Sequence, residues 1–284
     1  MPYTTLISPS ILASNLTADW VIADCRYDLQ SDAWGEQQYL DAHIPGATYV
    51  SLSHDLSSTP TGANGRHPLP SLDAMIATFS RLGISGDRQV IAYDQDSGMF
   101  ASRLWWMLRF AGHSNVAVLD GGWAKWVAES LPTRGGREPR DVATFTPKWQ
   151  SSSQLDVNAV AELYEDPGTL LLDARAPERF EGRVEPLDRL PGHIPGAANH
   201  SYRTNLAPDN TMLPPNALRA RLEQDLKGYS PAQTVMYCGS GVSACHNLLA
   251  MEVAGLPGAR LYVGSWSEWS ADPNRPVETG PSRR

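Results

Sequence analysis

The chain contains an internal duplication, and this repeat constrains its fold more than any other feature of the sequence. In each half an apolar run leads into an Asp-x-Arg motif, at Asp24 and at Asp173, and a His-Ile-Pro-Gly-Ala segment follows, beginning at His43 and at His193. A second apolar run and a helical stretch come next, and a Trp stands eleven residues after the glycine that closes this stretch, in the pairs Gly112 with Trp123 and Gly255 with Trp266. The two halves are therefore expected to share one fold.

The apolar runs predict strands, and the stretches between them predict helices. Strands are expected at Trp20 to Ala23, Val90 to Tyr93, Leu170 to Leu172 and Thr234 to Tyr237, and a helix over Ala244 to Val253. This alternation is typical of an α/β domain in which helices flank a mainly parallel sheet, with functional sites at the carboxyl ends of the strands. A chain of 284 residues allows about two such domains. The polar segment from Thr133 to Asp141 suits a linker, so the domains are predicted as residues 1–140 and 141–284.

Charge and cysteine content narrow the functional classes. A formal net charge of −8 argues against nucleic acids and anionic membranes as partners, so a small anionic substrate would need a local cationic site. Three cysteines do not make a disulfide framework, and no Cys/His spacing resembles a zinc site. The start of the sequence lacks the features of a signal or transit peptide, and no apolar run has the length of a membrane span. A cytoplasmic location is expected.

The segment from residue 234 to 244 is the strongest candidate for a reactive site. The predicted strand ends at Cys238, and the predicted helix begins at Ala244. Backbone N–H groups at the start of a helix carry partial positive charge, which favours a thiolate, and Gly239 and Gly241 let the backbone curl around the sulfur. A buried and inert cysteine is the alternative, but the two glycines and the helix start favour a nucleophile.

The first half provides an internal control for this interpretation. Asp94 stands where the second half has Cys238. A carboxylate cannot replace a sulfur nucleophile, so the first half is expected to be non-catalytic and to form one wall of an inter-domain cleft, a common kind of ligand site.

The order of these motifs, with a cysteine in the second copy only, resembles the tandem-domain rhodanese sulfurtransferases. Within that family, the loop Cys-Gly-Ser-Gly-Val-Ser at residues 238–243 resembles that of members using 3-mercaptopyruvate. Members that prefer thiosulfate carry basic residues directly after the cysteine, where this chain has Gly239 and Ser240. The resemblance implies that Cys238 takes sulfur from the donor as a persulfide, releases pyruvate and passes the sulfur to cyanide, a low-molecular-weight thiol or a thioredoxin-like protein. It implies no metal and no organic cofactor.

The resemblance also implies roles for individual residues. Arg179 falls at the position of the substrate-binding arginine, and backbone N–H groups of the loop would hold the thiolate and persulfide. A second arginine is often found nine residues later, but Asp188 stands there, which leaves Arg189 or Arg183 as its replacement. The substrate and persulfide contacts are therefore assigned to Arg179, Arg189, Gly239, Gly241, Val242 and Ser243.

A proton relay of serine, histidine and an acid is a further implication of the resemblance. Ser240 and His67 match the first two members. Ser53 stands at the aligned position of the acid, and Asp55 is the carboxylate that could serve instead. The catalytic assignments are therefore Cys238, Ser240, His67 and Asp55.

Other readings of the chain stay open. The near alternative is a thiosulfate:cyanide sulfurtransferase, and a more distant one is a non-enzymatic persulfide carrier that needs no substrate arginine. A cysteine-dependent phosphatase would need an arginine at the end of the loop, where Ser243 and Ala244 stand. His43 and His193 recur in both halves and are expected to anchor a turn, while Cys25 and Cys245 are expected to be buried and inert.

Overall fold

The chain forms two compact units, and each unit is made of more than one segment of the sequence. The computed structural model describes residues 2–16 and 19–282, so Met1 and Arg284, the outer bounds of the two predicted domains, lie outside the described residues. The first unit contains the chain up to Ser58 together with Leu69–Gln150 and Pro208–Met212. The second contains Thr59–Pro68, Ser151–Ala207 and the chain from Leu213 onward. The first unit thus extends to Gln150 rather than to about residue 140, and each unit includes a short segment from the other half of the sequence.

The first unit is built on a five-stranded parallel sheet with the strand order β1-β5-β4-β2-β3. Its strands are β1 (Leu6–Ile7), β2 (Val21–Asp24), β3 (Ala47–Tyr49), β4 (Val90–Tyr93) and β5 (Val116–Leu119). Its helices are α1 (Pro9–Ser14), α2 (Trp34–Asp41), α3 (Leu72–Arg81), α4 (Ala101–Phe110) and α5 (Gly122–Ala128). The predicted strand at residues 90–93 is confirmed, and the one predicted at residues 20–23 lies one residue later.

The second unit repeats this architecture, with a five-stranded parallel sheet in the order β6-β10-β9-β7-β8. Its strands are β6 (Gln154–Leu155), β7 (Leu170–Asp173), β8 (Ala198–Asn199), β9 (Thr234–Tyr237) and β10 (Arg260–Tyr262). Its helices are α6 (Val157–Leu163), α7 (Pro177–Phe180), α8 (Pro215–Leu226), α9 (Ser243–Val253) and α10 (Ser265–Trp269), with 3₁₀ turns at Ser151–Ser153, Tyr202–Asn205 and Pro231–Gln233. The predicted α/β class and the parallel sheets are confirmed in both units.

The cores of the two units lie around the central strands. Every residue of β2, β4, β5, β7 and β9 is buried, as expected for parallel strands that are covered by helices on both faces. Trp126 in the first unit and Trp266 in the second are fully buried against these sheets. No helix within residues 2–16 and 19–282 has the length and apolar character needed to cross a bilayer.

The Asp-x-Arg motif fastens the end of a central strand to a distant loop. Arg26 forms a buried ion pair with Asp24, donates a 2.7 Å hydrogen bond to the carbonyl of Ala42, and lies over the ring of Trp123 at 4.5 Å. Burial weakens competition from water, and the charged partners compensate each other's desolvation. The second copy repeats these contacts with Arg175, Asp173, Gly192 and Trp266. The repeat seen in the sequence is therefore a repeat of structural contacts.

The recurring histidines anchor turns, as predicted. His43 Nδ1 lies 2.7 Å from the carbonyl oxygen of Tyr39, and His193 Nδ1 lies 2.8 Å from that of Phe180. Both rings are buried, and burial lowers the pKa of His193 from its usual value. Cys25 and Cys245 are buried, and neither forms a disulfide bond.

Candidate active site

Cys238 lies directly after β9, in the short loop that leads into α9. Its side chain is buried, and the backbone N–H of Gly241 donates to its sulfur at 3.1 Å. Gly241 has a φ of +75°, a left-handed conformation that a residue with a Cβ adopts only at a cost, so a glycine is required where the loop folds back over the sulfur. The backbone N–H of Gly241 is thus directed at the Cys238 sulfur.

The start of α10 holds the Cys238 loop in place. Trp266 N–H donates to the carbonyl of Cys238, and Ser267 N–H donates to that of Gly239, both at 2.9 Å. Ser265 Oγ accepts from Cys238 N–H at 3.1 Å, although its own φ of +56° is strained for a serine. The sequence analysis missed Ser265. The sequence contains a signal for this position, because the equivalent residue before Trp123 is a glycine, Gly122. Gly122 has the same left-handed φ as Ser265.

A segment from the first half of the sequence brings His67 to Ser240. The segment Thr59–Pro68 belongs to the second unit, and His67 Nδ1 lies 2.7 Å from Ser240 Oγ. Arg66 N–H donates to Ser267 Oγ at 3.0 Å, which fixes this segment to the residue that also binds the carbonyl of Gly239. The predicted residues Cys238, Ser240 and His67 therefore lie together within one unit.

Two guanidinium groups face Gly239, the residue after Cys238. A methyl group added at Gly239 would lie 2.9 Å from Arg66 Nη2 and 3.5 Å from both Nη1 and Nη2 of Arg179. Arg179, which the sequence analysis assigned to donor binding, extends from α7. Arg66 was not predicted, although it directly precedes His67 in the sequence. Burial and the neighbouring Arg179 charge lower the pKa of Arg66, with Cys238 acting in the opposite direction.

Two buried carboxylates hold these arginines. Arg179 Nη2 lies 2.6 Å from Glu185 Oε1 and 3.0 Å from Asp188 Oδ2, and Asp188 also forms an ion pair with Arg66. The side chains of Glu185 and Asp188 are 3% and 2% exposed, whereas those of Arg179 and Arg66 are 19% and 28% exposed. The carboxylates thus lie beneath the guanidinium groups, which remain partly accessible.

The arginines expected to assist Arg179 have other partners. Arg189 is exposed, and its Nη1 donates to the carbonyl of Ala271 at 3.1 Å. Arg183 forms a 2.7 Å ion pair with Glu181 on the surface. The assistance of either arginine to Arg179 stays a prediction.

The acid expected to support His67 belongs to the first unit. Asp55 accepts a 2.9 Å hydrogen bond from Ser51 N–H and forms an ion pair with Arg81. Ser53, at the aligned position, binds Asp32 through its hydroxyl group. The role of Asp55 stays a prediction.

The remaining loop residues shape the start of α9. Val242 is buried and precedes the helix, and Ser243 is its first residue. Cys245 donates from its sulfur to the carbonyl of Gly241 at 3.2 Å, so this second thiol supports the loop that carries the first. Within residues 2–16 and 19–282, no group of three or more His, Cys, Asp or Glu side chains is arranged to hold a metal ion.

In the first unit a carboxylate occupies the place that corresponds to the sulfur. Asp94 follows β4 and accepts hydrogen bonds from the backbone N–H groups of Gly98 at 2.9 Å and Phe100 at 2.7 Å. Burial raises its pKa to about 6, against the opposite effect of these hydrogen bonds. The loop of the first unit thus also directs backbone N–H groups at an anion, and this anion is the side chain of Asp94.

The fold and this loop define a class of protein. The family model of the rhodanese-like domain matches residues 8–129 and 156–272. The chain therefore belongs to the rhodanese family and carries two copies of its domain, as the sequence motifs predicted.

Individual relatives of this chain bear names that specify a sulfur donor. A protein of Pseudomonas aeruginosa named "Probable 3-mercaptopyruvate sulfurtransferase" is 42% identical over 99% of this chain and 100% of its own length. The "Putative thiosulfate sulfurtransferase SseB" of Mycobacterium tuberculosis is 40% identical over 91% of this chain and 90% of its own length. Among solved structures, the 3-mercaptopyruvate sulfurtransferase from Leishmania major has a TM-score of 0.84 at 31% identity, covering 94% of this chain and 74% of that one.

Proposed function

We propose that this protein is a 3-mercaptopyruvate sulfurtransferase in which Cys238 carries the sulfur as a persulfide. The observation that carries the proposal is the Cys238 loop, in which a backbone N–H lies 3.1 Å from the sulfur and two guanidinium groups face the next residue. The names of the relatives from Pseudomonas aeruginosa and Leishmania major support the same donor. The reaction is covalent catalysis in two steps.

In the first step the Cys238 thiolate attacks the sulfur of 3-mercaptopyruvate. A bond forms between the two sulfur atoms as the carbon–sulfur bond of the donor breaks, and its electron pair remains on the carbon as the enolate of pyruvate. The Gly241 N–H, already directed at the sulfur, stabilises negative charge on the thiolate and on the persulfide. Backbone donors at the start of α9, after Val242 and Ser243, add to this stabilisation.

Protonation of the enolate is assigned to the pair formed by Ser240 and His67. The 2.7 Å contact between them allows the Ser240 hydroxyl to donate to His67 Nδ1 or to pass on a proton received from it. The proton goes to the carbon that carried the sulfur and yields pyruvate.

Arg179 binds the carboxylate of the donor in this proposal. A guanidinium group offers two parallel donors to a planar carboxylate, and Arg179 faces Gly239 from α7. Because its side chain is 19% exposed, a donor can reach it from solvent.

In the second step an acceptor thiolate attacks the outer sulfur of the persulfide, and the Cys238 thiolate leaves. Cyanide would give thiocyanate in the same way. We assign a thioredoxin-like protein or a low-molecular-weight thiol as the acceptor. We assign the cytoplasm as the location, because three cysteines without a disulfide bond suit a reducing compartment.

Thiosulfate is the second candidate donor. The guanidinium groups of Arg66 and Arg179 lie beside Gly239, where a sulfonate group could also bind, and the Mycobacterium tuberculosis relative bears a thiosulfate name. Comparison of kcat/KM for the two donors with cyanide as acceptor distinguishes them. A higher kcat/KM with thiosulfate would contradict the primary proposal.

Mass spectrometry of the donor-treated protein tests the central step. Exposure to 3-mercaptopyruvate should add one sulfur atom to the peptide that contains Cys238, and the Cys238→Ser variant should form neither this adduct nor pyruvate. A Cys245→Ser variant controls for the second thiol near the loop. Pyruvate formation by Cys238→Ser would contradict the proposal, and an unchanged rate in Arg179→Ala would favour a persulfide carrier without a donor site.

A further inference from the structure

The arginine pair beside Cys238 has a composition that the sequence did not predict. Asp188, whose position the resemblance had associated with a second arginine, forms ion pairs with both Arg179 and Arg66. A guanidinium group from the Thr59–Pro68 segment therefore shares this carboxylate with Arg179.

We propose that Arg66 is a second carboxylate-binding residue of the donor site, acting with Arg179 next to Gly239. The inference rests on the proposed function, because it assigns a residue to the same donor. Arg66 Nη2 is the nearest side-chain atom to the open side of Gly239, and both nitrogen atoms at the end of Arg179 face the same position. The two groups can therefore bind one carboxylate and the adjacent carbonyl oxygen of an α-keto acid.

The charges around Arg179 explain why a second arginine is needed. Arg179 contacts two buried carboxylates, Glu185 and Asp188. Glu185 also pairs with Arg175, whose other partner is Asp173. Without Arg66 this cluster therefore has three carboxylates for two guanidinium groups and offers little net attraction to an anion. Arg66 shares Asp188 and brings this cluster to three guanidinium groups and three carboxylates, which is electrical balance. An anionic donor can then approach without net repulsion, and directional N–H groups determine its binding.

The backbone contacts show that Arg66 has a defined position. Its N–H donates to Ser267 Oγ at 3.0 Å, and Ser267 N–H donates to the carbonyl of Gly239 at 2.9 Å. Gly65, with a φ of +85°, lies so close to the Gly264 carbonyl that a Cβ would be 2.9 Å from its oxygen. The segment therefore packs tightly against the residues that hold the Cys238 loop, and it carries Arg66 and His67 to the site together.

Arg66→Gln and Arg66→Lys test the inference, with Arg219→Gln as the matched control. Arg219 is a half-exposed arginine on α8 that pairs with Glu223. In Arg66→Gln, loss of a charge-assisted contact should raise the KM for 3-mercaptopyruvate about ten-fold or more and weaken competitive inhibition by pyruvate by a similar factor. Arg66→Lys, which keeps the charge and the partner for Asp188 but loses the planar fork, should give intermediate values. Arg219→Gln should match the wild type.

Alkylation of Cys238 tests Arg66 without relying on turnover. Anionic iodoacetate and neutral iodoacetamide attack the same sulfur, so the ratio of their rates measures how well the site accepts a carboxylate. Arg66→Gln should lower this ratio several-fold relative to wild type and Arg219→Gln. If the wild type releases no pyruvate from 3-mercaptopyruvate, the proposed function fails, but this ratio still tests Arg66. An unchanged ratio, or an unchanged KM and pyruvate inhibition in an active Arg66→Gln variant, would overturn the inference.

Discussion

At the scale of single residues, Gly239 and Gly241 are required for different reasons. Gly241 has a left-handed backbone, which any side chain would strain. Gly239 does not have a positive φ, and a Cβ there would instead meet the ends of Arg66 and Arg179. The sequence analysis assigned both glycines to the curl of the loop, whereas Gly239 leaves the space that the ends of Arg66 and Arg179 approach.

Substitution Gly239→Ala should therefore impair donor binding more than folding. The added methyl group would lie 2.9 Å from Arg66 Nη2, the end of a flexible side chain, which can move away at little cost to stability. We expect kcat/KM for 3-mercaptopyruvate to fall about ten-fold through loss of an arginine contact, while the free energy of unfolding changes by less than about 1 kcal/mol. Steady-state kinetics and denaturant unfolding measure the two effects. Gly168→Ala, at an exposed site, is the control, and equal donor kinetics in the two variants would contradict this role for Gly239.

The site residues that the sequence analysis named belong to local motifs, whereas Arg66, which it missed, comes from a distant part of the chain. Cys238, Ser240 and Arg179 belong to local motifs that can be recognised from their own neighbours. The second arginine was sought at residues 183 and 189, close to Arg179, but the guanidinium that faces Gly239 belongs to Arg66. Spacing along one segment cannot reveal a contact that depends on how a distant segment packs.

At the scale of secondary-structure elements, the site joins a strand-to-helix loop to a segment without regular structure. The loop between β9 and α9 supplies Ser240, and the segment Thr59–Pro68 supplies His67. Neither element alone contains a proton relay. Their 2.7 Å contact joins the two side chains into one hydrogen-bonded pair.

A double-mutant cycle on this pair tests whether they act together. His67→Ala and Ser240→Ala should each slow pyruvate formation by about 10²-fold, as expected for loss of general acid catalysis, and the double variant should be little slower than either single one. Discharge of a preformed persulfide to an acceptor thiol should be slowed less, because no enolate is protonated in that step. Rapid-quench measurement of each half-reaction separates the two. His54→Ala, at an exposed histidine that pairs with Asp32, is the control, and fully additive losses would contradict a joint role.

The longer elements were predictable because burial imposes a pattern on their sequence. The strands at residues 90–93 and 234–237 are continuous apolar runs, and both lie in the centre of their sheets. By contrast, α7 has four residues and β8 has two, which is too short for any period to emerge. Arg179 lies on α7, so one of the least predictable elements carries a predicted site residue.

At the scale of the whole molecule, the duplication extends to the short segment that each unit contains from the other half of the sequence. The second unit takes Thr59–Pro68, and the first takes Pro208–Met212. In the second unit the exchanged segment places His67 on Ser240, two residues after Cys238. In the first it places Asn210 Nδ2 at 3.4 Å from Asp96 Oδ2, and Asp96 stands two residues after Asp94. The copies thus share an arrangement of contacts but not the chemical groups at those contacts.

The first unit should therefore remain inactive even when it is given a cysteine. Asp94→Cys places a thiol after β4, but Gln30 stands six residues after Asp24, where Arg179 stands six residues after Asp173. Without an arginine at that position and with Asp96 in place of a serine, the new site would repel an anionic donor. In the double variant Asp94→Cys, Cys238→Ser, we expect neither pyruvate release nor added sulfur at residue 94 after exposure to 3-mercaptopyruvate.

The single variant Asp94→Cys is the control for this experiment, because its Cys238 site is intact. It should form a persulfide on Cys238 alone, as located by mass spectrometry of the separated peptides, and thermal unfolding should establish that both variants are folded. A persulfide on residue 94 would show that a cysteine in this cradle is sufficient for sulfur transfer. Its absence would instead locate the difference between the two copies in the side chains around the loop, since the backbone cradle is present in both.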